Sequence, residues 1–292
     1  MSERSRRAAV LALPATWLTL FFLLPFLIVL GISLAEQAIG IPPYTALLVR
    51  GPSGLELHAS LDNFALLVSD ELYARAFLSS ILYAAGATFL ALLIGYPMAY
   101  AIVRAPRSWR GLLLLLVILP FWTSFLIRVY AWIGLLQNNG LINTLLLRLG
   151  IVHAPLPLLN TPFSVQIGLV YSYLPYMVLP LYAALERLDP VLLEAASDLG
   201  CRPSAAFWRV TFPLSLPGVI AGFLLVFIPM CGEFVIPDLL GGPSTLMLGK
   251  VLWDEFFTNR DWPVASAVAV AMVLFLIVPM GVVRRYLAGT GE

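Results

Sequence analysis

Apolar residues in this chain neither alternate with polar ones at the two-residue period of a strand nor keep to one face of a helix. They run in blocks. Residues 8–35, 76–103 and 154–185 each pass about 28 residues or more without a charge. Residues 111–136 are interrupted only by Arg128, 210–232 run uncharged up to Glu233, and 262–283 close the series. A hydrocarbon layer of ~30 Å takes about 20 helical residues to cross. The pattern therefore predicts an all-α fold, a polytopic membrane protein with six transmembrane helices.

Composition agrees with that reading. The chain is 61% hydrophobic and 11% charged, where a soluble domain runs near 45–50% and about 25%. A core of this size cannot bury the surplus, so lipid must solvate it. A net charge of +1 gives no basic footprint for nucleic acid. The two cysteines, Cys201 and Cys231, fall at different levels, cannot pair, and read as small hydrophobes. The two histidines, His58 and His153, are not at metal-ligand spacing, and no metal site is expected. No Gly-x-Ser-x-Gly elbow occurs. The only lysine, Lys250, precedes Val251 rather than serine or threonine, so the chain lacks a phosphate loop. It reads as a non-enzyme, and any ATP hydrolysis belongs elsewhere.

Basic residues assign the sides. With a cytoplasmic N-terminus, eleven of the 17 lie in inner segments, five in outer ones, and Arg128 within a span. Both termini are then cytoplasmic. Outer segments carry nine of the 16 acids, a modest attraction for cations. The first apolar block is about twice the core of a secretory signal, so residues 1–75 read as a retained signal anchor and outer loop. Residues 76–292 then form a five-span transmembrane domain.

The most informative stretch is the inner loop and following span at 188–222. Asp189 is a good N-cap, Pro190 suits a first helical turn, Gly200 supplies a stop, and Pro203 prevents resumption. A short cytoplasmic helix at 190–200 is predicted, with Val191, Leu192, Ala195 and Leu199 as an apolar stripe. On physics alone it is either an interfacial helix or a docking helix for a cytoplasmic protein.

Glu194-Ala195-Ala196, then Gly200, then Val210-x-Phe212-Pro213 after nine intervening residues, resembles the E-A-A…G…I-x-L-P motif. That motif belongs to permease subunits of binding-protein-dependent ABC importers. The resemblance implies a type I importer permease in a bacterial inner membrane, with Asp189, Glu194, Ala195, Ala196 and Gly200 as the coupling element. It further implies a second, different six-span permease, two copies of an ATPase that binds ATP and magnesium, and a periplasmic substrate-binding protein. No cofactor is implied for this chain. Three further blocks, 119–130, 232–243 and 259–263, are similar to the spermidine/putrescine permeases, most of all the putrescine importer.

The residues also support a cationic substrate directly. Glu233 is the sole acid inside a predicted span, in a segment broken by Pro229, Gly232 and Pro237. With Asp238, Trp122, Tyr130, Tyr173 and Tyr176 it offers carboxylates and aromatic faces to a diammonium ion. These aromatics are alternatively interfacial anchors. Arg128, at a similar depth to Glu233, either neutralises it, leaving Asp238 as the freer carboxylate, or snorkels outward. Alternatives are another cation such as ferric iron, or an ion-driven secondary transporter.

Overall fold

The computed structural model describes residues 3–51, 54–243 and 245–289. Helix α1 (Glu3–Leu18) continues through a π-turn at Thr19–Leu23 into α2 (Leu24–Ser33). A hairpin of β1 (Leu48–Gly51) and β2 (Gly54–Leu57) follows, paired antiparallel with Leu48 opposite Leu57. Then come α3 (Asp62–Ser69), α4 (Glu71–Arg104), α5 (Arg107–Ile118), α6 (Phe125–Leu136) and α7 (Leu141–Arg148). The second half holds α8 (Pro162–Glu186), α9 (Val191–Asp198), α10 (Pro203–Ala206), α11 (Phe212–Cys231), α12 (Val235–Leu240), α13 (Leu248–Trp253) and α14 (Trp262–Gly289). A π-turn at Phe207–Thr211 fuses α10 to α11.

Among the described residues four helices are long and apolar enough to cross a bilayer: Val10–Ser33, Glu71–Arg104, Pro162–Glu186 and Pro203–Cys231. The expected third span is not one helix. Arg107–Trp122 and Phe125–Arg148 meet at a bend of 88°. Pro120, without an amide proton, sits in a 3-10 turn at Leu119–Trp122, and Thr123 then turns extended with ψ 151°. The expected sixth span is α14, apolar over Trp262–Ile277. The fourth span starts at Pro162 rather than 154, because Thr161 and Ser164 form a reciprocal capping box there.

The chain forms two compact units, one of residues 1–74 with 251–277, the other of 75–250 with 278–292. In the first, Asn63 donates through Nδ2 to the carbonyls of Ser33 (2.9 Å) and Ala35 (2.8 Å), satisfying the orphan end of α2. The ring of Phe256 stacks on Trp262 at 4.8 Å.

In the second, α8 and α11 pack at backbone range. A Cβ on Gly218 would lie 2.4 Å from Ala184 Cβ, and one on Gly222 would lie 2.8 Å from Met177 Sδ. Lipid gives no hydrophobic drive between helices, so such close van der Waals approach is what holds them. This pair forms the scaffold on which the candidate functional residues sit.

Candidate functional site

Helix α11 ends at Cys231, Gly232 caps it, and the chain restarts as α12 at Val235. Glu233 occupies the break and is only 9% exposed. Its Oε1 accepts from the amides of Val235 (3.0 Å) and Ile236 (3.4 Å), the otherwise unpaired donors at the start of α12. Its Oε2 accepts from the hydroxyl of Tyr173, on α8, at 2.5 Å. Among the described residues the donors to this carboxylate are all neutral, and no cation bonds it.

Tyr173 links the carboxylate to a cavity of about 350 Å³ lined by Phe121, Thr123, Phe125, Arg128, Ser172, Tyr173 and Tyr176. The Tyr176 ring is 5.0 Å from Phe121 and 6.1 Å from Tyr173. The bend after α5 brings Phe121 and Phe125 around Arg128. The guanidinium carbon of Arg128 lies 5.1 Å and 5.6 Å from their ring centres. Its Nε and Nη1 are buried without a hydrogen-bond partner.

Among the described residues no ion pair joins Arg128 to Glu233. Of the alternatives left open by the sequence, direct pairing is not the one seen: the arginine rests on aromatic faces, the glutamate on tyrosine and amides. Asp238, the freer carboxylate of that alternative, has a partner of its own. Asp238 pairs with Lys250 at 3.0 Å and is half exposed.

Of the six sequence-predicted pathway residues, the fold brings Tyr173, Tyr176 and Glu233 together. Trp122 and Tyr130 are 74% and 59% exposed and do not line the cavity. Sequence reasoning missed Phe121, Phe125, Thr123 and Ser172. The available signal was the position of Phe121 and Phe125 seven and three residues before Arg128.

The predicted short helix forms as α9, Val191–Asp198, slightly inside the expected 190–200. Asp189 Oδ1 accepts from the Val191 amide at 3.0 Å, as a capping carboxylate should. At the other end Cys201 N–H donates to Ala196 O (3.0 Å) and Gly200 N–H to Ser197 O (2.8 Å). That bond pair is a Schellman stop, and it places Gly200 at φ +77°. Glu194 and Ala195 are exposed, Ala196 is half-buried, and Val191, Leu192 and Leu199 project outward, Leu199 by 89%. Among the described residues the outer apolar stripe is thus exposed, while Leu193 turns inward.

Residues 91–288 match the family described as binding-protein-dependent transport system inner membrane component. The spermidine/putrescine transport system permease protein PotB of Haemophilus influenzae is 42% identical over 261 residues, 89% of this chain and 87% of that protein. The protein of the same name from Escherichia coli K12 is 40% identical over 260 residues, 89% and 90% of the two chains. Among solved structures, a bacterial alginate ABC transporter in complex with a pentasaccharide-bound periplasmic protein aligns with TM-score 0.67 at 19% identity, over 95% of this chain and 92% of that one. That last likeness concerns the fold alone.

Proposed function

Because this chain belongs to the binding-protein-dependent transport system inner membrane components, we propose that it is the permease subunit of an ATP-driven importer of putrescine and spermidine. It is a transport subunit rather than an enzyme, part of an ABC transporter assembly, and it crosses an inner membrane several times. In this reading it supplies half of the translocation path, and a second, different permease supplies the other half. Two ATPase subunits carry ATP and magnesium, and a periplasmic protein delivers the substrate. In the same reading both termini lie in the cytoplasm, which the placement of the basic residues supports.

The observation that carries the substrate class is the Glu233–Tyr173 pair beside an aromatic cavity. A diammonium ion that sheds water gains charge-assisted hydrogen bonds from a carboxylate and cation–π contact from Tyr173 and Tyr176. Arg128, fixed in the same cavity, repels it. Attraction from the carboxylate behind Tyr173 and repulsion from Arg128 in the wall keep occupancy brief, which suits a path rather than a store. The outward stripe of α9, with Glu194 and Ala195 beside it, is the surface that receives the ATPase.

Uptake of radiolabelled putrescine and spermidine tests this, in cells stripped of their own polyamine uptake and supplied with the four components. ATP-dependent uptake of either supports the proposal. Uptake that persists without the ATPase would assign the chain to ion-driven carriers, and uptake of ferric iron alone would change the substrate.

A further inference from the structure

A second cavity, of about 400 Å³, opens where α4 ends, α5 begins and α8 passes into α9. It is the more basic of the two. Arg104, Arg107 and Arg110 line it, with Glu186 as the one acid among its lining residues. Arg110 is held in place, its Nε donating to the Ala105 carbonyl at 3.0 Å and its Nη1 lying 3.7 Å from Glu186 Oε1. Arg104 lies over the Tyr100 ring at 4.7 Å. One acid does not balance three guanidiniums, so the cavity carries a net positive charge.

An independent observation lies at the wall of the same space. Thr211 lines this cavity, is 2% exposed, and its hydroxyl is buried with no hydrogen-bond partner. A helical threonine ordinarily returns its hydroxyl to a carbonyl one turn back. Thr211 instead sits at the π-turn that fuses α10 to α11. A buried hydroxyl without a partner is costly, and a χ1 rotation that turned it to a ligand oxygen in the cavity would satisfy it.

We propose that this cavity binds a phosphate group, presented by the headgroup of an anionic phospholipid. Guanidinium forks match phosphate oxygens, and the threonine hydroxyl adds a neutral donor. The cavity's level favours a lipid over free phosphate. Trp109, between Arg107 and Arg110, and Trp208, three residues before Thr211, are 56% and 63% exposed. Exposed indoles of this kind settle at the headgroup layer. Basic pockets between helices on the cytoplasmic side, where the surface is negative, meet that chemistry continuously. The site borders α9 through Pro190 and Leu193, so a bound headgroup would brace the base of that helix. The inference goes beyond the transport reading, and its test needs neither substrate nor ATPase.

Thermal unfolding of the purified full chain in dodecyl maltoside, titrated with dioctanoyl phosphatidylglycerol, tests it. The wild type should be stabilised by the anionic lipid and not by dioctanoyl phosphatidylcholine. Arg104→Gln with Arg107→Gln, which spares the Arg110–Glu186 pair, should weaken the response about 25-fold, at about fivefold per arginine. Thr211→Val should also respond more weakly, yet melt no lower than wild type without lipid, because no internal bond is lost. Inorganic phosphate that stabilises as well as the lipid would keep the site and assign it to the free anion. An unchanged lipid response in both variants overturns the site.

Discussion

At the scale of single residues, a buried carboxylate costs several kcal/mol unless hydrogen bonds or a cation compensate it. Glu233 has three neutral donors, the strongest being the Tyr173 hydroxyl at 2.5 Å. Glu233→Gln keeps the shape and removes the charge. It should forfeit a charge-assisted bond to substrate worth about 1.5–3 kcal/mol, and initial polyamine uptake should fall about 10–150-fold with expression unchanged. Tyr173→Phe should slow uptake less, since it removes a positioning donor and retains the aromatic face. Because Arg128 lies on Phe121 and Phe125 rather than on Glu233, adding Arg128→Gln to Glu233→Gln should not restore uptake. Restoration would mean that the two charges balance each other in the working transporter. Trp122→Ala, at a position 74% exposed and outside the cavity, should leave uptake through the Glu233 route nearly unchanged.

At the scale of elements, α9 separates backbone requirement from side-chain requirement. Gly200 has φ +77°, and nothing lies within 4 Å of a Cβ built there. The position therefore demands a conformation rather than empty space. Gly200→Asn should retain uptake and ATPase copurification, because asparagine enters the left-handed region readily. Gly200→Val should lose both, the left-handed conformation costing an L-residue roughly 1–2 kcal/mol and a β-branched one more. Glu194→Lys, on the exposed face, should uncouple the ATPase while the protein still inserts. At the α8–α11 crossing the demand is for space. Gly218→Val sets a side chain 2.4 Å from Ala184 Cβ and should destabilise the chain by about 1–3 kcal/mol, read as a lower unfolding temperature in detergent.

At the scale of the whole molecule, the proposed sidedness rests on arginine placement across the apolar blocks. An alkaline-phosphatase fusion within 140–160 should be active, and one near Arg202 inactive. The reverse would invert the topology and move the basic cavity of Arg104, Arg107 and Arg110 to the outer face. The composite nature of the transporter belongs to this scale too. The long helix Val10–Ser33 buries none of its apolar window, and Leu11, Trp17, Phe21 and Phe22 all face outward. Such a helix needs lipid or partner helices around it, as a subunit of a larger assembly does.

The membrane class, the positions of the apolar helices and the short capped helix after Leu188 were all legible from residue order. Each rests on local physics: a bilayer thickness, a capping carboxylate, a glycine stop. The bend after Trp122 was foreshadowed by Pro120, yet its angle of 88° was not, because a proline removes one bond and leaves the direction to packing. Pairing of side chains was the least legible. Glu233 and Arg128 stand at similar depth in the linear count, and linear depth says nothing about the rotation of one helix against another. Only the tertiary structure decided that Tyr173 reaches Glu233, that Lys250 takes Asp238, and that Arg128 turns to two phenylalanines. The physical reason is that charge selects a partner by distance across helices, which the packing of α8 against α11 and α12 sets, whereas burial in lipid is decided by composition along each helix alone.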